Sequence, residues 1–153
     1  MTYHDLLVTE LESHLAVLQQ AVTGCEFVIN DVIELIIECF QHGHKILLCG
    51  NGGSAADAKH IAAEFINRFR FDRPALPAIA LTTDSSILTC IGNDSSFDFV
   101  FSRQVEALAA PGDLLIGIST SGNSKNVLNA LEAAHAKGIK TVGFTGEDRK
   151  SVV

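Results

Sequence analysis

Two short polar stretches each follow an apolar run of strand length and precede a segment with helical periodicity. The first is Gly-Asn-Gly-Gly-Ser at 50–54, and the second is Ser-Thr-Ser-Gly-Asn-Ser at 119–124. A turn between a strand and a helix presents free backbone N–H groups, and the helix dipole adds a partial positive charge, so such a turn binds anions. The alternative at 50–54 is an ordinary tight turn in which Ser54 caps the helix. The first stretch matches neither a Walker loop nor a GxGxxG motif.

The second turn carries more hydroxyl groups than one helix cap requires. Its hydroxyl residues, all within six positions, are Ser119, Thr120, Ser121 and Ser124. Hydroxyl groups donate hydrogen bonds to phosphate oxygens without adding positive charge. We therefore predict a phosphate site at this turn. The net charge of −7 argues against nucleic acid as a partner.

A histidine and a glutamate lie four residues apart on the helix predicted after the first turn. His60 and Glu64 should therefore project from one face of that helix. Such a pair can hold Zn²⁺, or the carboxylate can act as a general base beside a bound sugar. The alternative is a solvated helix face. Because the helix begins at the first turn, we expect this pair and the turn to border one ligand pocket.

Apolar periodicity sets both turns in a fold of alternating strands and helices. Two helices are predicted before the first strand, with a break near Gly24 and an apolar stripe on the first helix that suits packing against another subunit. Strands are predicted at 45–49, 78–81, 114–118 and 141–144, helices at 55–64, within 82–93, at 97–108 and at 125–137, and a turn at 92–94. This alternation predicts a parallel sheet covered on both faces, with ligands at the carboxyl ends of its strands.

Length and composition indicate one domain with a large apolar core. The chain has 153 residues, of which 47% are hydrophobic, and this size fits a single domain. Its four cysteines form no CxxC motif and are expected to be reduced and buried, as in a cytosolic protein. We find neither a cationic leader nor a run of about 20 apolar residues. We therefore expect a cytoplasmic protein that makes no membrane contact.

Several blocks of the sequence, taken together and in order, resemble one family. They are Gly50–Glu64, Arg73–Pro74, Pro77–Ala80, Gly92–Asp94, Phe101–Gln104 and Gly117–Ser124. In these blocks the chain is similar to the bacterial phosphoheptose isomerases, which are sedoheptulose 7-phosphate isomerases of the sugar isomerase (SIS) fold. The resemblance extends from the N-terminal helices to about Gly146.

The resemblance implies a fold, a reaction and an assembly. The implied fold is α/β, a doubly wound parallel sheet in a flavodoxin-like three-layer sandwich, with N-terminal helices for oligomerisation at 1–44 and a SIS sugar-phosphate-binding domain at 45–153. The implied enzyme is an intramolecular oxidoreductase that converts sedoheptulose 7-phosphate into D-glycero-D-manno-heptose 7-phosphate for lipopolysaccharide heptose synthesis. The implied assembly is a homotetramer, and the implied cofactor is zinc.

The resemblance also implies a role for each matching residue. His60 and Glu64 are implied zinc ligands, and Glu64 is also the implied base that moves a proton between C1 and C2 through an enediol, while the metal stabilises the oxyanion. The implied substrate-binding residues are Asn51, Gly52, Gly53, Ser54, Glu64, Asn93 and Asp94, together with Ser119, Thr120, Ser121 and Ser124 at the phosphate.

In one respect the sequence departs from this family. Family members continue into a further strand and a closing helix, which carries an active-site glutamine and histidine, whereas this sequence stops at Val153. Two zinc ligands are also fewer than the three protein ligands of a catalytic zinc. We therefore expect the closing strand and helix to be missing from this chain.

Two other functions stay open on the sequence. One is a non-enzymatic tetramer of the same fold that binds the bacterial replication initiator. The other is a sugar-phosphate sensor domain, although the sequence carries no attached DNA-binding segment. A scaffold has no need of a base beside the first turn, so Glu64 favours the isomerase.

Overall fold

The computed structural model describes residues 2–146 and divides into two compact units, Met1–Leu35 and Ile36–Val153. The part of the predicted domain 45–153 that follows residue 146 lies outside the described residues. Within residues 2–146, no helix is long and apolar enough to cross a bilayer.

The N-terminal segment forms one helix, α1 (Tyr3–Gln41), so the prediction of two helices with a break near Gly24 is wrong. One glycine costs a helix about 1 kcal/mol relative to alanine, which is too little to end it. The Thr23 hydroxyl also donates to the Gln19 carbonyl at 3.0 Å, a bond within the helix. Leu7, Leu11 and Leu15 of the predicted apolar stripe are 56–60% exposed in the single chain.

Four parallel strands form the sheet. They are β1 (Ile46–Gly50), β2 (Ala78–Ala80), β3 (Leu114–Ser119) and β4 (Lys140–Thr145). Their order is β2-β1-β3-β4, with parallel pairing throughout. The predicted strands are confirmed to within one residue at each end.

The remaining helices follow the strands in turn. They are α2 (Gly53–Ile66), α3 (Ser85–Asp94), α4 (Ser102–Leu108) and α5 (Lys125–Ala136), with a 3₁₀ turn at Phe97–Phe99. The predicted turn at 92–94 is wrong, because these residues complete the last turn of α3, which ends at Asp94. The single amphipathic helix predicted at 97–108 is wrong as well, since a 3₁₀ turn precedes the shorter α4.

Side-chain alternation explains why β1 is buried along its whole length. Leu47 and Cys49 pack in a cluster with residues of α4 and α5. Ile46 and Leu48 are also fully buried, and successive side chains of a strand point to opposite faces. The side chains of Ile46 and Leu48 therefore lie on the opposite face of the sheet from Leu47 and Cys49. Helix α2 contacts both β1 and β2. Helices cover both faces, which confirms the doubly wound α/β fold.

The prediction that the cysteines are reduced and buried holds for half of them. All four are free thiols, but Cys25 and Cys90 are exposed, whereas Cys39 and Cys49 are buried. Burial raises the pKa of the Cys49 thiol to about 12, so this thiol stays protonated at neutral pH and packs as an apolar group.

Asp113 joins the start of β1 to the turn before β3. Its carboxylate accepts hydrogen bonds from the Lys45 backbone N–H (3.0 Å), from Lys45 Nζ (2.5 Å) and from the Ala110 N–H (2.7 Å), and its side chain is 2% exposed. Burial alone raises the pKa of a carboxyl group. Here the hydrogen bonds and the Lys45 charge outweigh burial and hold the pKa of Asp113 below its usual value.

We expect Asp113→Asn to lower the free energy of unfolding by about 2–3 kcal/mol at pH 7. Because the pKa of Asp113 is lower in the folded chain than in the unfolded chain, its stabilisation is present above the unfolded value and is lost as pH falls through the folded value. Urea denaturation of both proteins should therefore show a difference that shrinks below about pH 4. A difference that stays constant through that range would contradict this role.

Candidate functional site

The two turns predicted to bind anions lie side by side. The turn at 51–53 follows β1 and the turn at 120–124 follows β3, and these strands are adjacent, with Gly50 opposite Ile118 in the register. The connection from β1 to β2 runs to one side of the sheet and β3 lies on the other, so the chain order reverses between β1 and β3. In open α/β sheets, ligands bind outside the carboxyl ends of the strands at this position.

The first turn depends on a close approach of two backbone segments. A β-carbon placed on Gly50 would lie 2.8 Å from Ser54 Cβ and 2.9 Å from the Ser54 carbonyl carbon and oxygen, so a side chain has no room here. Gly52 has φ of +54°, a conformation that favours glycine. Helix α2 begins at Gly53 with Gly52 as its N-cap. Ser54 therefore lies in the first helical turn, and the reading of Ser54 as the cap is wrong.

Two hydroxyl groups of the second turn bond each other, and a third accepts a backbone hydrogen bond within the turn. Ser119 Oγ donates to Ser124 Oγ at 2.9 Å, and Ser121 Oγ accepts from the Asn123 N–H at 3.2 Å. Ser124 occupies the N-cap position of α5, but its hydroxyl makes no capping bond to the helix. Ser119 is buried, whereas Thr120 and Ser121 are exposed. The turn thus presents exposed hydroxyl groups around the N-terminal N–H groups of α5, which suits a phosphate.

Lys125 places a positive charge at the edge of this turn. Its Nζ lies 2.8 Å from Asp98 Oδ2. The hydrogen bond to Asp98, followed by the attraction between the two charges, raises the pKa of Lys125. The ammonium group is thus paired with Asp98 at the surface, beside the hydroxyl and backbone N–H donors of the turn.

A pair of side-chain amides connects the two turns. Asn51 Nδ2 donates to Asn126 Oδ1 at 2.8 Å, and Asn126 Nδ2 donates to Asn51 Oδ1 at 2.8 Å. Asn126 is buried in the first turn of α5, with 5% exposure. Our sequence reasoning did not single it out. The signal was its spacing, because Asn126 lies four residues before Ala130 and eight before Ala134, both on the buried face of α5.

His60 and Glu64 share one face of α2, as their spacing predicts. His60 Nε2 lies 3.7 Å from Glu64 Oε1, and the side chains are 75% and 33% exposed. The Arg73 guanidinium donates to the backbone oxygens of Glu64 (2.6 Å) and Phe65 (2.8 Å). These bonds satisfy carbonyl groups near the end of α2 and fix the backbone that carries Glu64.

A pocket of about 560 Å³ lies beside this pair. Its lining residues are His60, Ile61, Glu64, Phe65, Phe69, Arg70, Phe71, Arg73 and Leu76. Glu64 lies eleven residues after Gly53, which is a rise of about 16 Å along the helix axis. The structure therefore places His60 at the middle of α2 and Glu64 near its far end from the first turn, in a pocket lined by neither turn.

Asn93 and Asp94 end helix α3. Asn93 Nδ2 donates to Asp94 Oδ1 at 2.7 Å, and Cys90 Sγ lies 3.5 Å from Asp94 Oδ2. Both residues are exposed. Among the described hydrogen bonds and ion pairs, none joins these two residues to either turn or to Glu64. Their role in substrate binding stays a prediction.

His60 and Glu64 have the donor chemistry of a zinc site, because imidazole nitrogen and carboxylate oxygen both bind Zn²⁺. A catalytic zinc normally takes three ligands from protein. Within residues 2–146, no group of three or more His, Cys, Asp or Glu side chains is arranged to hold a metal ion. The described residues therefore fit part of a zinc shell.

Comparison with known proteins gives consistent matches. Residues 11–146 match the SIS domain family. The phosphoheptose isomerase of Trichlorobacter lovleyi is 53% identical over 97% of this chain and 76% of that protein, and that of Desulfovibrio desulfuricans is 70% identical over 72% of this chain and 53% of that protein. The solved structure of the Neisseria gonorrhoeae phosphoheptose isomerase has a TM-score of 0.90 at 44% identity, covering 97% of this chain and 78% of that one.

Residues 11–146 contain the whole sheet and both turns, so this part of the chain is a SIS domain. Within that class, the chain belongs to the phosphoheptose isomerase family. The predicted fold class and the predicted resemblance are both confirmed, and the isomerase is favoured over the scaffold and the sensor. The matched regions span between about half and three quarters of the lengths of the two relatives compared by sequence.

Proposed function

We propose that this protein is a ketose–aldose isomerase that converts sedoheptulose 7-phosphate into D-glycero-D-manno-heptose 7-phosphate for lipopolysaccharide heptose synthesis. Membership of the phosphoheptose isomerase family is the observation that carries this proposal. The structure adds an anion-binding arrangement at the switch point of the sheet and a carboxylate, Glu64, beside a pocket.

The second turn holds the substrate phosphate. Thr120, Ser121 and Ser124 supply hydroxyl donors, and Ser119, whose buried hydroxyl donates to Ser124, supports that set from behind. The first N–H groups of α5 have no helical acceptor of their own. These donors are neutral, so they bind a dianion without a cluster of lysine or arginine. Asn51, Gly52 and Gly53 lie directly beside them and contact the sugar. Ser54, Asn93 and Asp94 are the other proposed substrate contacts.

Glu64 is the general base. Its carboxylate removes a proton from C1 of the ketose, and the C–H electron pair becomes the C1–C2 double bond of the enediol while the C2 carbonyl oxygen gains a proton. Returning the carbon-bound proton to C2, with loss of the C1 hydroxyl proton, yields the aldose. The Glu64 side chain is partly shielded from water and lies against an apolar pocket wall, which suits a base that must act on a weakly acidic C–H group.

Zinc is the cofactor we propose, with His60 and Glu64 as two of its ligands. Since residues 2–146 fit part of a zinc shell, the other ligands lie outside the described residues of one chain. When bound, the ion would supply a Lewis acid for the sugar oxygens.

A homotetramer is the assembly we propose. Its first support is the exposed leucine stripe of α1, which would be covered by other copies. Its second support is the helix rise of about 16 Å between the first turn and Glu64, because an assembly can bring together sites that lie apart within one chain.

The four free thiols support a reducing compartment, which we take to be the cytoplasm.

The test is turnover of sedoheptulose 7-phosphate by the full chain, with its mass in solution measured on the same sample. We expect aldose formation by a species of four chains, a loss of turnover after treatment with a chelator and a return of turnover on adding Zn²⁺. Turnover that survives complete zinc removal would refute the proposal that zinc is the cofactor. Binding of the sugar phosphate without any turnover would refute the isomerase and leave a binding protein.

A further inference from the structure

The amide pair between Asn51 and Asn126 connects elements that are 75 residues apart in the chain. Asn51 opens the turn after β1, and Asn126 lies in the first turn of α5, directly after the hydroxyl turn. Both hydrogen bonds are 2.8 Å long. The pair therefore fixes the distance between the two turns by direct contact of side chains.

The pair leaves part of one amide available to a ligand. Each side-chain amide has two N–H donors and two acceptor positions, and a reciprocal pair uses one of each. Asn126 is buried, so its amide is committed to the contact with Asn51. Asn51 is half-buried, and its amide keeps one N–H and one acceptor position beyond the two bonds to Asn126.

The backbone carbonyls of the first turn accept hydrogen bonds from the first residues of α2. The Ala55 N–H donates to the carbonyls of Asn51 (3.3 Å) and Gly52 (3.1 Å), and the Ala56 N–H donates to Gly52 (3.2 Å). These contacts shape the turn, but they do not relate it to the hydroxyl turn. Pairing of β1 with β3 brings the two turns side by side, and the Asn126 side chain adds a direct bond to a glycine-rich turn whose backbone has a wide range of conformations.

We propose that Asn126 is a positioning residue, which acts through Asn51 to hold the sugar-contacting turn at a fixed distance from the phosphate-binding turn. The proposal rests on the proposed function, in which these turns bind two parts of one substrate. Asn126 itself is buried and need not touch the substrate. Its loss should leave phosphate binding intact and misplace the sugar.

The main experiment compares Asn126→Ala with Asn129→Ala in the full chain. Asn129 lies on the same helix and donates to the Asp98 carbonyl at 2.8 Å, so its replacement also removes an amide hydrogen bond but does not affect the first turn. We expect Asn126→Ala to lower kcat/KM for sedoheptulose 7-phosphate by about tenfold or more, because it leaves the Asn51 amide without its partner. The dissociation constant for inorganic phosphate should stay within twofold, and Asn129→Ala should keep kcat/KM within twofold.

A double variant separates positioning from general destabilisation. If Asn126 acts through Asn51, Asn51→Ala combined with Asn126→Ala should be no more than twofold worse than Asn51→Ala alone. An effect equal to the product of the two single effects would overturn the proposal, and so would unchanged turnover in Asn126→Ala. If Asn126→Ala does not fold, Asn126→Asp keeps the shape and removes the donor.

Amide hydrogen exchange tests the same proposal without turnover. We expect the N–H groups of Gly52 and Gly53 to exchange faster in Asn126→Ala than in Asn129→Ala. Equal rates in the two variants would overturn the positioning role. If the two variants differ in exchange in this way but the unmodified protein does not isomerise the sugar, the proposed function is refuted and the positioning role is retained.

Discussion

Replacing Glu64 by Gln is expected to lower kcat for sedoheptulose 7-phosphate by about 10²–10⁴-fold, the range for loss of a general base. Glutamine has nearly the same shape and keeps the contacts of the side chain with the pocket, but it cannot accept a proton from C1. The Arg73 bonds go to backbone oxygens, so they survive the substitution. Because Glu64 is also a proposed zinc ligand, turnover is measured with Zn²⁺ in excess, and KM and the melting temperature should then stay close to those of the unmodified protein.

A matched control is Glu106→Gln, which neutralises an exposed carboxylate on α4. Glu106 pairs with Arg103 at 2.7 Å, and both side chains are more than half exposed. Exposed pairs of this kind contribute about 0–1 kcal/mol, so kcat should be unchanged. Turnover of the Glu64→Gln protein within a few-fold of the unmodified protein would exclude Glu64 as the base.

Replacing Gly50 by Ala is expected to lower the free energy of unfolding by about 1–3 kcal/mol, the usual cost of overpacking. The new β-carbon would meet Ser54 at 2.8–2.9 Å, partly on backbone atoms that cannot turn aside. Relief of this clash requires a shift of the first turn of α2. We therefore also expect much weaker binding of the sugar phosphate, measured by titration alongside urea denaturation.

Gly53→Ala provides the comparison for stability. A β-carbon on Gly53 meets nothing within 4 Å, and Gly53 is the first residue of α2. Alanine is favoured over glycine by up to about 1 kcal/mol in a helix, so this protein should be as stable as the unmodified one or more stable. Two glycines three positions apart should thus respond in opposite directions. Equal destabilisation by both substitutions would show that the contact with Ser54 does not limit residue 50.

Local pattern accounts for the parts of the fold that were predicted. The strand at 114–118 and the helix at 125–137 each contain an apolar pattern that only one kind of element can bury. The end of α1 and the end of α5 were marked by Gly43 and Gly138, whose φ angles of +76° and +67° are ones that glycine adopts readily. Gly24 is also a glycine in a helical pattern, but it does not end the helix, because α1 continues through it.

Contacts between distant segments account for what the sequence did not predict. The predicted helix at 55–64 already implied that Glu64 lies well along α2 from the first turn. The pocket beside Glu64 was not predicted, because it depends on how the segment after α2, with Phe69 and Phe71, packs. The partner of Asn51 depends on which strands are adjacent. Strand order follows from the packing of helices on both faces of the sheet. The residues of the two turns do not indicate which strands are adjacent.

The sequence by itself determined the elements, the two anion-binding turns and the family, because periodicity, glycine-rich turns and ordered motifs are local properties of the chain. The tertiary structure decided which of these elements meet. It set the turns at 51–53 and 120–124 side by side, joined them through Asn126, and put His60 and Glu64 in a pocket of their own. The physical reason is that burying apolar surface fixes the relative positions of the strands and helices, whereas each polar side chain takes the partner that this packing brings within hydrogen-bonding distance.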